Sequence, residues 1–500
     1  MKATLVNRVR STIDPANDHP YLNGAWTPMM EEWDAEELTV EGSLPRDLDG
    51  VYLRNSENPV HQPLGKYHPF DGDGLLHAIR FRDGKASYRN RFVRTAGFVA
   101  EQAAGRALWS GLAEMPPRSE RPGWGAQGAL KDASSTDVVV HAGRALSSFY
   151  QCGALYQLDP QTLQQFGPAE WDGAFPAEGV SAHAKVDVTT GELLFFNYSK
   201  HAPYMYCGVV NTAGKLTHYQ PVLLPGPRLP HDMAYTRHFM ILNDFPLFWD
   251  ASLFGKGLHV ARMHDLPSRF ALVPRPRVDG TAVPDTIRWF EADPTYVLHF
   301  VNAWEEGDEV VLNGYRQRNP MPPPLSNAPR PYAMLMAYTD LHSLKPQLWR
   351  WRFNLRTGAT REEPLDEGIS EFGSFNHQHC MQPNRYIYSA LGEPGMFLFN
   401  GLCKHDLRNK TRQDLSFGTG VYGSEAPFAP RNNSQIGRAE DDGYLVTFIT
   451  DMNRDCSECW VYAAQDLGAG PLAKVRLPAR IPSGTHACWA AATELDSSTH

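Results

Sequence analysis

Short runs of β-forming residues, each closed by a turn, recur along nearly the whole chain, and few helical stretches interrupt them. Examples are Gly50–Arg54, Leu75–Phe81, Ala86–Phe92, Leu193–Asn197, Phe239–Leu242, Glu309–Leu312, Trp349–Phe353 and Tyr444–Phe448. Asp83-Gly84, Asp159-Pro160, Thr190-Gly191, Ala213-Gly214, Thr357-Gly358 and Asp442-Gly443 punctuate them, and these residue types favour tight turns. Several units share one theme, in which an apolar strand runs into Asp-Pro or Thr-Gly and a second strand returns: Leu155–Pro160, Val186–Gly191 and Trp351–Gly358. Repeated hairpins without alternating helices are the pattern of a β-propeller, with a pair of β-sandwiches as the competing architecture.

The 41 Gly and 39 Pro of the 500 residues are scattered, which fits many turns and gives no linker. We therefore expect one domain over residues 1–500, since all-β folds keep long chains in one unit. A net charge of −9 excludes a nucleic-acid surface, which needs clustered Lys and Arg. Apolar runs fall short of the roughly 20 residues that span a bilayer, and Met1–Arg8 has no apolar signal core, so a soluble cytoplasmic protein is expected. Seven Cys, an odd number, read as reduced thiols, and the lone Cys456-x-x-Cys459 lies in a strand-like stretch. The best helical pattern is Phe98–Trp109, with Pro116-Pro117 beyond it.

Nineteen histidines are present, and four stand beside strand-like segments in separate repeats: His183, His231, His299 and His486. A propeller brings the inner strands of its blades to one axis, so one His per blade can converge on a metal. All-imidazole ligation suits iron, copper, nickel or zinc. Spacing alone does not separate these four from the rest. His377-Gln-His379 is a rival pair, although Gly373–Asn376 before it reads as a surface turn. Ligating imidazoles pass their second N–H to a carboxylate, a carbonyl or water, and Glu371 and Glu425 are carboxylates in otherwise apolar or small surroundings. Gly72-Asp-Gly74 lacks the strand–turn–helix setting of a dinucleotide loop, and the chain has neither a phosphate-binding Gly-Lys-Ser/Thr nor a Gly-x-Ser-x-Gly elbow.

At these segments the sequence resembles the carotenoid cleavage oxygenases, the family that includes the retinal pigment epithelium isomerase, apocarotenoid oxygenases and lignostilbene dioxygenases. The similarity runs over Leu44–Asn55 with Pro69–His77, Arg288–Phe290 with Tyr296–Trp304, and Glu440–Tyr444 with Leu477–Trp489. The resemblance implies a seven-bladed β-propeller with a helical and loop-built cap over an axial metal site. It implies one Fe(II) held by His183, His231, His299 and His486, with O2 as co-substrate and no organic cofactor. Glu371 and Glu425 match two supporting carboxylates, Gln151 falls where a third is expected, and Thr136 matches a threonine near the open face of the metal.

The reaction so implied is oxygenative cleavage of a conjugated alkene to two carbonyl products. Its rivals are isomerisation or hydrolysis on the same site and a non-catalytic binding propeller. Stilbene-cleaving relatives hold a phenol with a tyrosine and a lysine, where this chain has Phe98 and Lys131. Half a phenol clamp favours an apolar carotenoid or apocarotenoid, with a stilbene or phenylpropene as the alternative. An insoluble substrate and the apolar stretches Phe245–Trp249 and Leu108-Trp109 lead us to expect peripheral membrane contact.

Overall fold

Period-two alternation sets the strands. In Lys85–Phe92 every second side chain is buried, so one face meets the core and the other meets solvent. The runs read from the sequence fall inside observed strands: Gly50–Arg54 is one, and Leu75–Phe81 lies within Asp73–Arg82. Trp349–Phe353 lies within Pro346–Asn354, and Tyr444–Phe448 within Gly443–Asp451. The structure, a computed structural model, describes residues 1–126, 128–276, 286–431 and 439–495.

Two units divide the chain. The first comprises Met1–Ala182, Leu398–Leu402 and Asp414–His500, and the second His183–Phe397 and Cys403–Gln413. In the first, a seven-stranded sheet runs in the order Lys2–Arg8, Glu31–Glu36, Lys85–Phe92, Asp73–Arg82, Gly50–Arg54, Ala487–Ala491, with Glu57–Asn58 also on Asp73–Arg82. A four-stranded meander, Asp137–His141 to Gln165–Pro168, and a six-stranded sheet centred on Gly443–Asp451 and Cys456–Ala463 complete it. The second unit holds three four-stranded antiparallel meanders: Lys185–Val186 to Leu216–Pro221, Ala234–Tyr235 to Arg288–Ala292, and Val297–Glu306 to Thr360–Ile369. A ribbon of Leu247–Trp249 on Ala261–Met263 is added to these.

Four-stranded meanders joined by hairpins are propeller blades, and the fold is an all-β β-propeller. The blade number differs from the expected seven. Six sheets of blade size lie whole within one unit or the other. The remaining four-stranded sheet, Glu371–Ser374 to Thr411–Ser416, is divided by the unit boundary within Phe399–Asp406. Such a boundary depends on contacts distant in sequence, which hairpin periodicity does not encode.

The expected helix over Phe98–Trp109 is observed as Ala96–Ala104. Thr95 caps its start by accepting the Phe98 N–H, and Gly105 ends it in the left-handed region at φ 69°. That conformation is open to glycine without strain, so the helix stops five residues before Trp109. His377–His379 is a single 3-10 turn in which His377 and Gln378 are exposed and His379 is half-buried, in agreement with the surface reading. All seven cysteines are free thiols, and Cys456 and Cys459 are buried in a strand. Among the described residues no helix is long and apolar enough to cross a membrane.

The core of the second unit packs Ile241, Phe270, Leu272, Phe290, Phe300, Leu312, Trp351 and Phe353 between neighbouring sheets. The Phe270 ring centre lies 5.4 Å from Trp351 and 5.0 Å from Phe353. Trp351 is fully buried, so truncation leaves a cavity that the rigid strands around it cannot close. Trp351→Ala is expected to lower stability by about 3–5 kcal/mol, read as a shift in the urea unfolding midpoint. A loss under about 1 kcal/mol would mean that the neighbouring rings collapse into the space.

Candidate metal centre

In the second unit each candidate histidine stands where the first strand of a sheet begins. His183 precedes Lys185–Val186, His231 precedes Ala234–Tyr235, and His299 lies in Val297–Glu306. The fold brings the three rings together. Ring centres are 5.0 Å apart for His183 and His231, 4.9 Å for His183 and His299, and 5.3 Å for His231 and His299. Nε2 of His183 is 3.3 Å from Nε2 of His231, and ligand atoms of His183 and His299 lie within 4.8 Å. His183 and His299 are buried, and His231 is half-buried.

This donor set fits a metal ion. Two imidazole nitrogens bound about 2.1 Å from one ion stand roughly 3.0–3.4 Å apart at bond angles between about 90° and 109°. The His183–His231 separation lies in that range. Neutral imidazoles suit iron, copper, nickel or zinc, and they keep the ion's full charge for polarising what binds there.

Two carboxylates fix these segments. Glu371, fully buried, sits 2.6 Å from Nδ1 of His299, which leaves Nε2 as the ligand atom. The next residue, Phe372, has φ 55°, and its N–H bonds the same Glu371 oxygen. A non-glycine residue in the left-handed region costs about 1–3 kcal/mol, and here it turns the backbone so that Glu371 faces the imidazole. The second carboxylate, Asp232, was not singled out in the sequence. Its Oδ1 accepts from the Met233 N–H and from Nζ of Lys185, and its Oδ2 accepts from the Phe300 N–H at 2.8 Å. One buried side chain therefore ties together the segments that carry His183, His231 and His299. The signal for it was its place directly after His231. Tyr296 adds a further tie by donating to the Leu229 carbonyl at 2.7 Å.

His486 and Glu425 belong to the first unit, as do Thr136 and Gln151. Nδ1 of His486 is 3.2 Å from Glu425 Oε2, which also accepts the Ala487 N–H. Burial works to lower the His486 imidazole, but Glu425, with Asp137 and Glu57 farther off, holds it above its ordinary value. The backbone around it is tied to the strand Gly50–Arg54. The Asn55 N–H donates to the His486 carbonyl, and the Arg54 guanidinium donates to the Pro482 carbonyl at 2.8 Å. Thr136 is buried, and its hydroxyl accepts the Tyr150 N–H at 3.1 Å. Gln151 is also buried, and its Oε1 has no hydrogen-bond partner among the described residues.

Lys131 is not the solvated loop residue that an isolated lysine usually is. Its ammonium lies 2.8 Å from Asp73 and 2.7 Å from Glu101. Burial alone would lower it, but these two carboxylates hold it well above the ordinary lysine value. Phe98 is buried and stacked on Phe92, 5.4 Å between ring centres.

These features match known proteins. Residues 26–491 match the family model described as retinal pigment epithelial membrane protein. A carotenoid 9,10(9',10')-cleavage dioxygenase of Crocus sativus is 32% identical, over 93% of this chain and 88% of its own length. An isoeugenol monooxygenase of Pseudomonas nitroreducens is 30% identical, over 94% of this chain and 98% of its own. The crystal structure of Pseudomonas brassicacearum lignostilbene dioxygenase superposes with a TM-score of 0.82 at 25% identity, covering 96% of this chain and all of that one. The fold and the histidine cluster define a β-propeller oxygenase. The chain belongs to the retinal pigment epithelial membrane protein family, as the sequence resemblance implied.

The His299–Glu371 pair gives a direct test. Loss of an outer carboxylate on a ligating histidine costs about 10–100-fold in metal affinity. Glu371→Gln is expected to weaken divalent-metal binding by that factor, measured by anaerobic titration against a competing chelator. Unchanged affinity would show that Glu371 does not support a ligand.

Proposed function

We propose that the protein is a mononuclear non-haem Fe(II) dioxygenase that cleaves a conjugated carbon–carbon double bond of a carotenoid or apocarotenoid to two carbonyl products. The observation that carries this reading is the three-imidazole cluster of His183, His231 and His299, backed by Glu371 and Asp232. In this reading His486, supported by Glu425, would be the fourth ligand, and Thr136 would stand near the metal. When bound, the iron supplies the centre at which O2 is activated for addition to the alkene. The chain's own part is to hold His299 and His486 by their second nitrogens, through Glu371 and Glu425. No protein nucleophile is needed, because the alkene supplies the electrons. The two units work as one oxygenase domain, a reading supported by the single family match across both.

Substrate class rests on two relatives that point in different directions, one named for carotenoids and one for isoeugenol. Phe98 and Lys131 favour the first. A phenol would find no tyrosine hydroxyl at Phe98, and the Lys131 ammonium is already paired with Asp73 and Glu101. Cleavage of a stilbene or phenylpropene is the second reading, favoured by the likeness to the lignostilbene enzyme.

The experiment is an anaerobic reconstitution with Fe(II), then oxygenation with a panel of apocarotenoids, hydroxystilbenes and isoeugenol, with mass spectrometry of the products. Apocarotenoids are expected to give two carbonyl fragments, and His299→Ala to give none. Reaction of phenolic substrates alone would reverse the substrate assignment. One product retaining every substrate carbon would replace cleavage by isomerisation.

Peripheral membrane contact belongs to the same reading, but not through the stretches first chosen. Phe245, Trp249, Leu108 and Trp109 are buried by packing. Leu223, Val260 and Leu266 of the second unit are exposed, Leu223 by 72%. Cosedimentation with zwitterionic phosphatidylcholine liposomes is expected, and a Leu223→Asp, Val260→Asp, Leu266→Asp triple variant should lose it. Equal sedimentation of that variant would rule these residues out.

A further inference from the structure

A third carboxylate of the first unit lies beside a candidate ligand and has no place in the account above. Glu57 stands in the two-residue strand Glu57–Asn58, paired with Gly74 and Asp73. It is 3% exposed. Its Oε1 accepts from the Thr485 hydroxyl at 2.9 Å, one residue from His486. Its Oε2 is buried and has no hydrogen-bond partner among the described residues.

A buried carboxylate with an open oxygen is costly unless a positive charge compensates it. Arg54 is the nearest buried cation in sequence; one of its guanidinium nitrogens donates to Ser56 Oγ and the Pro482 carbonyl, and its Nε has no hydrogen-bond partner among the described residues. The backbone leaves little freedom here. A side chain at Gly484 would run into the Asn55 carbonyl, the Arg54 guanidinium and the Ser56 hydroxyl. The segment Arg54–Glu57 therefore lies tightly along Pro482–His486, joined to it at Pro482, Thr485 and His486. Arg54 attracts Glu57 through space without bonding its open oxygen, and the ion that His486 is read as binding would add a second positive charge.

We propose that Glu57 is a positioning residue for the metal centre, holding the His486 loop through Thr485 and supplying a buried negative charge that offsets the cation. This rests on the reading of His486 as a ligand. It adds to that reading a carboxylate that acts through a threonine hydroxyl, where Glu371 and Glu425 bond their imidazoles directly.

The test uses the full-length protein and Co(II) as the probe, with affinity from chelator competition and ligand geometry from the visible absorption bands. Glu57→Gln keeps the shape and removes the charge. It is expected to weaken Co(II) binding about 10–100-fold and to shift the bands. Thr485→Val keeps the carboxylate and removes the bridge, and it should also weaken binding and shift the bands, whereas Thr485→Ser should behave as wild type. Wild-type affinity and unchanged bands in Glu57→Gln overturn the proposal. If Glu57→Gln does not fold, Thr485→Val decides, and unchanged bands there overturn the proposal equally. Failure of the wild-type protein to bind Co(II) would instead remove the metal reading on which the proposal stands.

Discussion

An imidazole has two nitrogens, and a metal takes only one. What the protein does with the other decides whether the ring is a ligand or a loose side chain. At His299 that nitrogen is held by Glu371, a fully buried carboxylate on the opening strand of another sheet. The arrangement needs Phe372 in the left-handed region, a strained conformation that persists only where the surroundings over-determine it. The blade architecture supplies those surroundings, because each opening strand is fixed by the three strands behind it.

Asp232 extends the same logic from one ligand to three. Its two oxygens reach Lys185, Met233 and the strand carrying His299, so a shift of any one segment strains the others. Such coupling fixes separate loops relative to one another. In the first unit the equivalent work is shared. Glu425 bonds both the His486 ring and the following amide, and the strand Gly50–Arg54 anchors the loop from the other side.

The charge around Lys131 bears on what kind of molecule the protein handles. A lysine free to pair with a phenolate would be exposed or poorly matched. Here two carboxylates neutralise it, and burial lifts one of them, Asp73, above the usual carboxylate range even beside the ammonium. The cluster is a structural ion pair that links the helix Ala96–Ala104, through Glu101, to the strand Asp73–Arg82. The cluster itself lines the neighbouring cleft together with Asp71 and His61, opposite apolar residues such as Val60, Leu130, Phe149 and Trp109.

The local rules were legible from the sequence, and they went far. Period-two burial and Gly, Asp or Pro turns placed the strands, with ends up to five residues short as at Leu312 against Gln317, because both depend on neighbours close in the chain. They also placed each candidate histidine beside a strand. What depends on distant contacts was not legible. The boundary that leaves six whole blades, the inward packing of Phe245 and Trp249, and the neutralised Lys131 each arise from atoms far apart in sequence. The same holds for the meeting of residues 183, 231, 299 and 371, and for the roles of Asp232 and Glu57. Sequence alone determined which side chains were available and that they stood on strands. Only the tertiary structure decided which of nineteen histidines face one another, since convergence is a property of packed sheets and leaves no period in the chain.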